Sequence, residues 1–214
     1  ITAREVVVAA GVLGTTELLL ASRDRWRTMP ALSQRVGDHV RTNSEAFAAI
    51  LHPPGTDVTE GATISSHFYP DATTHVTNNR FPRSYGFMKW YLSPATGGAD
   101  GTARRRRTLR SLLRHPMSAT ANARATDWHR RTTILTVMQH AENEMALRLT
   151  RTLGRWRLRS ELPPDAAPIP AFLPQADAAG VAVAAASGGR AYSTVLESLL
   201  GVGATAHILG GAVI

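Results

Sequence analysis

Cysteine is absent from all 214 residues. Disulfides and thiolate-bound metals are therefore excluded from this stretch, and the composition fits a reducing compartment such as the cytoplasm. Long apolar runs are also missing. None reaches the roughly 18 residues that a membrane-spanning helix needs, and residues 181–186 form a short run made mostly of alanine. Lysine is scarce, so the net charge of +8 comes almost entirely from arginine. No zinc-finger spacing, RNA-binding aromatic signature or clear helix-turn-helix accompanies that charge, which argues against a nucleic-acid partner. The chain opens on Ile1 rather than Met. A cytoplasmic location is expected, with secretion left open because a leader would precede this start.

The arginines cluster. Arg104, Arg105, Arg106 and Arg107 run together, followed by Arg110 and Arg114. Arg148, Arg151, Arg155, Arg157 and Arg159 form a second group. Such clusters attract nucleic acid or anionic lipid, but their plainer reading is a solvated face. Peripheral membrane contact is one expectation that the basic face leaves in play.

A length of 214 residues fits one large domain or two small ones. Residues 4–10 are a Val-rich apolar run, which reads as a buried strand of a parallel sheet. Gly11 to Gly14 reads as a tight turn. Thr15 or Thr16 then caps a helix whose buried face is Leu18, Leu19 and Leu20, ending near Arg23. Short strands are expected at 46–51, 61–69, 73–81 and 132–138, with turn signals between several of them, as in an antiparallel sheet. Residues 87–92 read as strand or helix. Residues 103–113 form a basic helix that ends before Pro116, and 176–187 a helix that ends at Gly188-Gly189. Residues 155–159 alternate Arg with apolar residues, as a strand does.

Taken alone, a strand followed by Gly11-Val12-Leu13-Gly14 and a helix is a weak dinucleotide signal, because the full G-x-G-x-x-G fingerprint is missing. Cofactor contact and plain tight packing are both open readings. His207, set among small apolar residues, reads in isolation as a structural histidine. His140 and Glu144 would share one face of a helix, but no third ligand lies nearby, so no metal is expected.

The order of residues is more specific than these patterns. Ala10-Gly11-Val12-Leu13-Gly14-Thr15-Thr16-Glu17-Leu18-Leu19 continues through Arg23-Asp24, Met29-Pro30, Leu32-Ser33 and Val36-Gly37. With His207-Ile208-Leu209-Gly210-Gly211, this resembles the glucose–methanol–choline family of flavin-dependent alcohol oxidoreductases, in its cholesterol oxidase-like branch. The resemblance implies an α/β (α+β) fold: Rossmann-like pieces of an FAD-binding domain plus a mostly antiparallel-sheet substrate domain. It implies domain pieces at 1–45 and 190–214 for the FAD side and 46–189 for the substrate side. It also implies that the chain is an internal portion of a longer enzyme, since the N-terminal fingerprint for the ADP part of FAD is not in it.

By the same resemblance, Ala10, Gly11, Gly14 and Asn43 lie near the flavin, and His207 is the catalytic acid–base residue. Residues 73–81 resemble the strand that carries a substrate-facing carboxylate, which places Thr77 and Arg80 on the substrate side. Thr77 stands where the family has Glu, and threonine cannot serve as a carboxylate base. Glu142 is the candidate that would replace the carboxylate. The implied partners are a hydrophobic, sterol-like alcohol and oxygen or another electron acceptor. Two alternatives remain beside this reading: a degenerate, non-catalytic remnant of such an enzyme, and a basic surface-binding protein.

Overall fold

The computed structural model describes residues 2–98 and 100–213. In chain order the elements are helix α1 (Gly11–Leu20), which widens into a π-type turn at Ala21–Arg25, and strands β1 (Arg41–Thr42), β2 (Ala46–Leu51), β3 (Ile64–Asp71) and β4 (Thr74–Asn79). A 3₁₀ stretch at Arg83–Tyr91 leads into β5 (Leu92–Pro94). Helix α2 (Gly101–Arg114) and the single turns α3 (Pro116–Ala119), α4 (Ala121–Arg124) and α5 (Trp128–Arg131) follow. Then come β6 (Thr132–Gln139), β7 (Ala146–Thr152), β8 (Arg155–Glu161), α6 (Pro174–Ser187), β9 (Arg190–Thr194) and β10 (Ile208–Leu209). All the ladders among the described residues are antiparallel. No helix among them is long and apolar enough to cross a membrane.

The chain divides into two compact units. The first comprises the residues up to Asn43, Glu142–Ile169 and those from Ala206 onward, and the second is Ser44–Ala141 with Pro170–Thr205.

The second unit is built on a six-stranded sheet of order β3-β4-β6-β2-β9-β5. Strand β2 lies in its middle, and its sequence, Ala-Phe-Ala-Ala-Ile-Leu, suits burial on both faces. Ala46, Ala48 and Ile50 pack with Val76, Leu135 and Val137 against Leu173, Ala176, Ala179 and Ala184 of helix α6 and its entry. Ala49 and Leu51 point the other way, into a cluster with Ile134, Tyr192, Ala125 and Trp128. The period-two alternation of one strand thus feeds two separate cores. Gly180 lets α6 lie close on the sheet, since a Cβ there would stand 2.9 Å from Ala48 Cβ.

Helix α2 begins where Asp100 accepts hydrogen bonds from the Thr102 and Ala103 backbone N–H groups, a standard N-cap. Arg105, Arg106 and Arg107 are exposed, as a solvated face requires. Arg104 is the exception. It is buried, pairs with the buried Glu197 and stacks over the Phe172 ring at 3.0 Å. Burial pushes the Glu197 carboxyl up to about 7, although the facing Arg104 works against that rise.

The first unit is made differently. Residues 37–43 run between two neighbours. On one side Val40 exchanges both backbone hydrogen bonds with Met145, at 3.0 and 2.7 Å, and Leu147 N donates to Gly37 O. On the other side β1 pairs with β10, Arg41 opposite Leu209 and Thr42 opposite Ile208. Strands β7 and β8 form a hairpin whose two turn residues, Leu153 and Gly154, both have positive φ.

Three expectations are corrected here. Residues 4–10 form no strand, and Val6 and Val7 are 78% and 90% exposed. A parallel strand needs neighbours on its edges, and no ladder among the described residues reaches this run. Residues 11–14 are not a free turn but the first turn of α1, with Gly11 at φ +67° opening it. The buried face of α1 is Thr16 and Leu20, while Leu18 is 40% exposed.

Candidate active site

Strand β1 is short because left-handed residues bound it on both sides: His39 at φ +52° and Ser44 at φ +47°. Only extended backbone continues a ladder, so the run is confined to the residues between them. The register of β1 on β10, carried one residue further, sets Asn43 opposite His207. The side chains meet there: Asn43 Nδ2 lies 3.3 Å from His207 Nδ1. Asn43 is half-buried and His207 exposed. Two residues predicted from segments 164 positions apart are thereby brought together in one unit.

The glycine pair after His207 has a mechanical reason. Gly210 has φ +96°, and a Cβ there would stand 2.0 Å from His39 O. Gly211 has φ +82°, and its Cβ would stand 2.6 Å from Thr16 Oγ1 on α1. Gly211 O also accepts from Gly37 N at 2.6 Å. Any larger residue would push the strand that follows His207 off both α1 and the His39 backbone. Helix α1, Asn43 and His207 are thus tied into the same unit by close backbone approach.

Ala10 and Gly11 are exposed at the start of α1, and a Cβ built on Gly11 would meet nothing within 4 Å. The backbone there is open to a flat ligand, as a flavin ring would require. Ala10 N donates to Thr15 Oγ1 at 3.2 Å. Gly14 turns inward, where a Cβ would stand 2.9 Å from Ala10 Cβ. Its missing side chain is thus accounted for by packing inside the turn.

Thr77 and Arg80 belong to the second unit. Thr77 is buried on β4, opposite Thr136 of β6 and His67 of β3. The Arg80 guanidinium donates to Val58 O, Ala62 O and Ser65 Oγ, and so holds the chain that leads into β3. Residues 140–144 are not helical. His140 and Glu144 therefore share no helix face, and Glu144 pairs instead with His39 Nδ1 at 2.8 Å. Arg35 Nη2 donates to the other His39 ring nitrogen at 2.5 Å, which makes Nδ1 the donor toward Glu144. Glu142 is exposed and lines a cavity of about 430 Å³ in the first unit, with Arg41, Asn143, Glu144 and Asp165.

Sequence reasoning missed two residues. Asn143 is 3% exposed, and its Oδ1 accepts from Thr42 N at 3.0 Å. Glu45, 4% exposed in the second unit, accepts from Thr205 Oγ1 at 2.9 Å. Neither has a spacing signal, because each partner lies more than a hundred residues away.

Comparison with known proteins agrees with the motif order. Cholesterol oxidases of two Mycobacterium tuberculosis strains, CDC 1551 and H37Rv, are 34% identical to the chain over 221 residues, covering 100% of it. A cholesterol oxidase of Acinetobacter baumannii is 30% identical over 212 residues, covering 99% of it. The chain spans 38% of the length of each of these curated relatives. No protein-family model matches it. Along its whole length the chain is similar to one part of these cholesterol oxidases, which is consistent with a portion of a glucose–methanol–choline-type enzyme.

Proposed function

We propose that the protein containing this chain is an FAD-dependent oxidoreductase that oxidises a sterol-like or other bulky alcohol, with His207 as the acid–base residue. The observation that carries this reading is the Asn43–His207 pair, set in register across β1 and β10 in the unit that also holds the open Gly11 turn. Ala10, Gly11 and Asn43 are the residues that would lie against the flavin. A flavin bound there supplies the hydride acceptor for the carbinol carbon.

The chain's own residues handle the proton and the orientation. An amide nitrogen only donates, so the Asn43 contact makes His207 Nδ1 an acceptor and puts the neutral ring's proton on Nε2. In that form Nε2–H donates to the alcohol oxygen and orients it. Turning the Asn43 amide by half a turn presents Oδ1 to a protonated Nδ1 and leaves the Nε2 lone pair to accept the hydroxyl proton. Amide orientation and ring tautomer are thus coupled, and Asn43 selects between holding the substrate and deprotonating it. No carboxylate stands at position 77, so alcohol oxidation rests on His207, and isomerisation of a sterol product, which needs a base to move a carbon-bound proton, is not part of the proposal.

The test is anaerobic flavin bleaching of the full-length protein by a panel of sterols and simpler alcohols, beside His207→Gln. Bleaching by a sterol is expected, slowed in the variant by roughly 10²- to 10⁴-fold. Bound flavin that no alcohol bleaches sinks the substrate class. Absence of bound flavin sinks the enzyme reading in favour of a remnant.

A further inference from the structure

We propose that Asn143 is a positioning residue for the Asn43–His207 pair; the inference rests on the acid–base reading of His207 given above. Val40 and Met145 exchange two backbone hydrogen bonds. In an antiparallel pair the next residue facing the same way lies two positions on, so Thr42 N–H turns toward residue 143. There Asn143 accepts this N–H through its side-chain Oδ1, at 3.0 Å. The side chain is buried, so its reach and direction are fixed by packing.

The consequence passes along a short path. Thr42 sits opposite Ile208, and the next residue on each strand is Asn43 and His207 respectively. Beyond them the strand ends at Ser44, whose left-handed backbone closes the ladder. The Thr42 N–H bond therefore anchors the strand on the 143 side one residue before Asn43 reaches the ring. The contact it positions is long, at 3.3 Å, and a shift of a few tenths of an ångström would weaken it. Through this bond Asn143 holds Thr42, and with it Asn43, at the distance where the amide sets the ring tautomer.

Two substitutions separate the acceptor from the mere bulk. Asn143→Leu keeps the size and removes the acceptor, and Asn143→Asp keeps an acceptor oxygen and removes the amide donor. The primary readout is the ¹⁵N shifts of the His207 ring nitrogens in the full chain, with Asn43→Ala as the reference for a lost contact. Asn143→Leu is expected to move the Nδ1 and Nε2 signals toward the Asn43→Ala pattern, with no further change in the double variant. Asn143→Asp is expected to leave them as in the native chain. In the loaded enzyme, Asn143→Leu should lower kcat by up to about 10²-fold with little change in KM, as misplacement of a reacting group does.

Unchanged ring signals in a folded Asn143→Leu variant overturn the proposal. So does an Asn143→Asp variant whose ring signals move as far as those of Asn43→Ala, and this second result decides the matter if the leucine variant does not fold. The ring signals are independent of turnover. If His207→Gln retains activity, the acid–base reading fails while the positioning result still stands or falls by itself.

Discussion

Within the second unit, side chains carry the stability. Both extended hydrophobic clusters belong to it, around Ile50, Val76 and Val137 on one face of the sheet and Trp128 and Tyr192 on the other. Within the first unit, backbones carry it. Its buried apolar residues are few and mostly small or β-branched, such as Ala21, Val36, Val40 and Ala146, and its strands meet at glycines whose Cβ atoms would collide with carbonyl oxygens. The candidate catalytic pair lies in this second kind of architecture. A core of interlocking side chains tolerates small backbone shifts by repacking, whereas a site held by backbone approach is fixed in distance and sensitive to a single methyl group.

That contrast is broken most easily in the sheet unit. Trp128 is 2% exposed, and its Nε1 donates to Asn122 Oδ1 at 2.7 Å. Trp128→Ala should cost about 3 to 5 kcal/mol, measured as a loss in the urea midpoint. It should leave the His207 ring signals unmoved if the two units differ as described. A loss under 1 kcal/mol would mean that the Trp128 cluster is not the core it resembles.

The next effect is a matter of pH. Burial raises the Glu197 carboxyl from its usual 4.5 to about 7. The folded chain therefore holds this proton more readily than the unfolded chain does. The stability it contributes is fully present below the unfolded value and is lost as pH rises through about 7. Glu197→Gln cannot ionise, so its urea midpoint should fall less than the native one between pH 5 and pH 8. Identical slopes for the two proteins would show that Arg104 holds Glu197 ionised across this range and that burial does not raise its carboxyl into it.

The smallest effect belongs to the first unit. Leu153 is 98% exposed and held at φ +50° in the β7–β8 turn, followed by Gly154 at φ +77°. Two left-handed turn residues favour Asn-Gly over Leu-Gly. Leu153→Asn should stabilise the hairpin by about 1 kcal/mol or somewhat less, read as slower amide exchange in β7 and β8. Exchange that quickens instead would show that the hairpin depends on the leucine.

The same contrast explains what could be read from the sequence. In the sheet unit, 46–51 and 132–138 were legible as strands because their apolar patterns serve local burial, and β2 and β6 match them closely. Helix α6 ends at Gly188 with φ +66°, as its glycine pair suggests. In the first unit, β1 and β10 are two residues each and exist only because they find one another, so no local period marks them. Strand β7 escaped for a related reason: Arg148 and Arg151 read as a charge cluster before they read as one side of a hairpin. Residues 4–10 erred the other way, since their apolar run has the composition of a buried strand but pairs with no strand among the described residues. His207 and Asn43 were singled out through motif order rather than pattern. Asn143 was not found, because a side chain that replaces a ladder carbonyl leaves no trace in spacing.

The pairing of Asn43 with His207 also has a consequence for the order of events during synthesis. The two residues are separated by 164 positions, and at ~5–20 residues per second the first waits ~8–30 s for the second to be made. Closing so long a loop from an open coil costs on the order of 4 to 5 kcal/mol of chain entropy, more than a two-residue ladder returns. The intervening residues need not remain a coil. Folding of the sheet unit brings Glu45 and Thr205 to within a hydrogen bond of each other, two positions inside the Asn43–His207 pair on either strand. A sheet unit that folds first would have its entry and exit side by side, and the β1–β10 ladder would then close as a short zipper started from within rather than across a long coil.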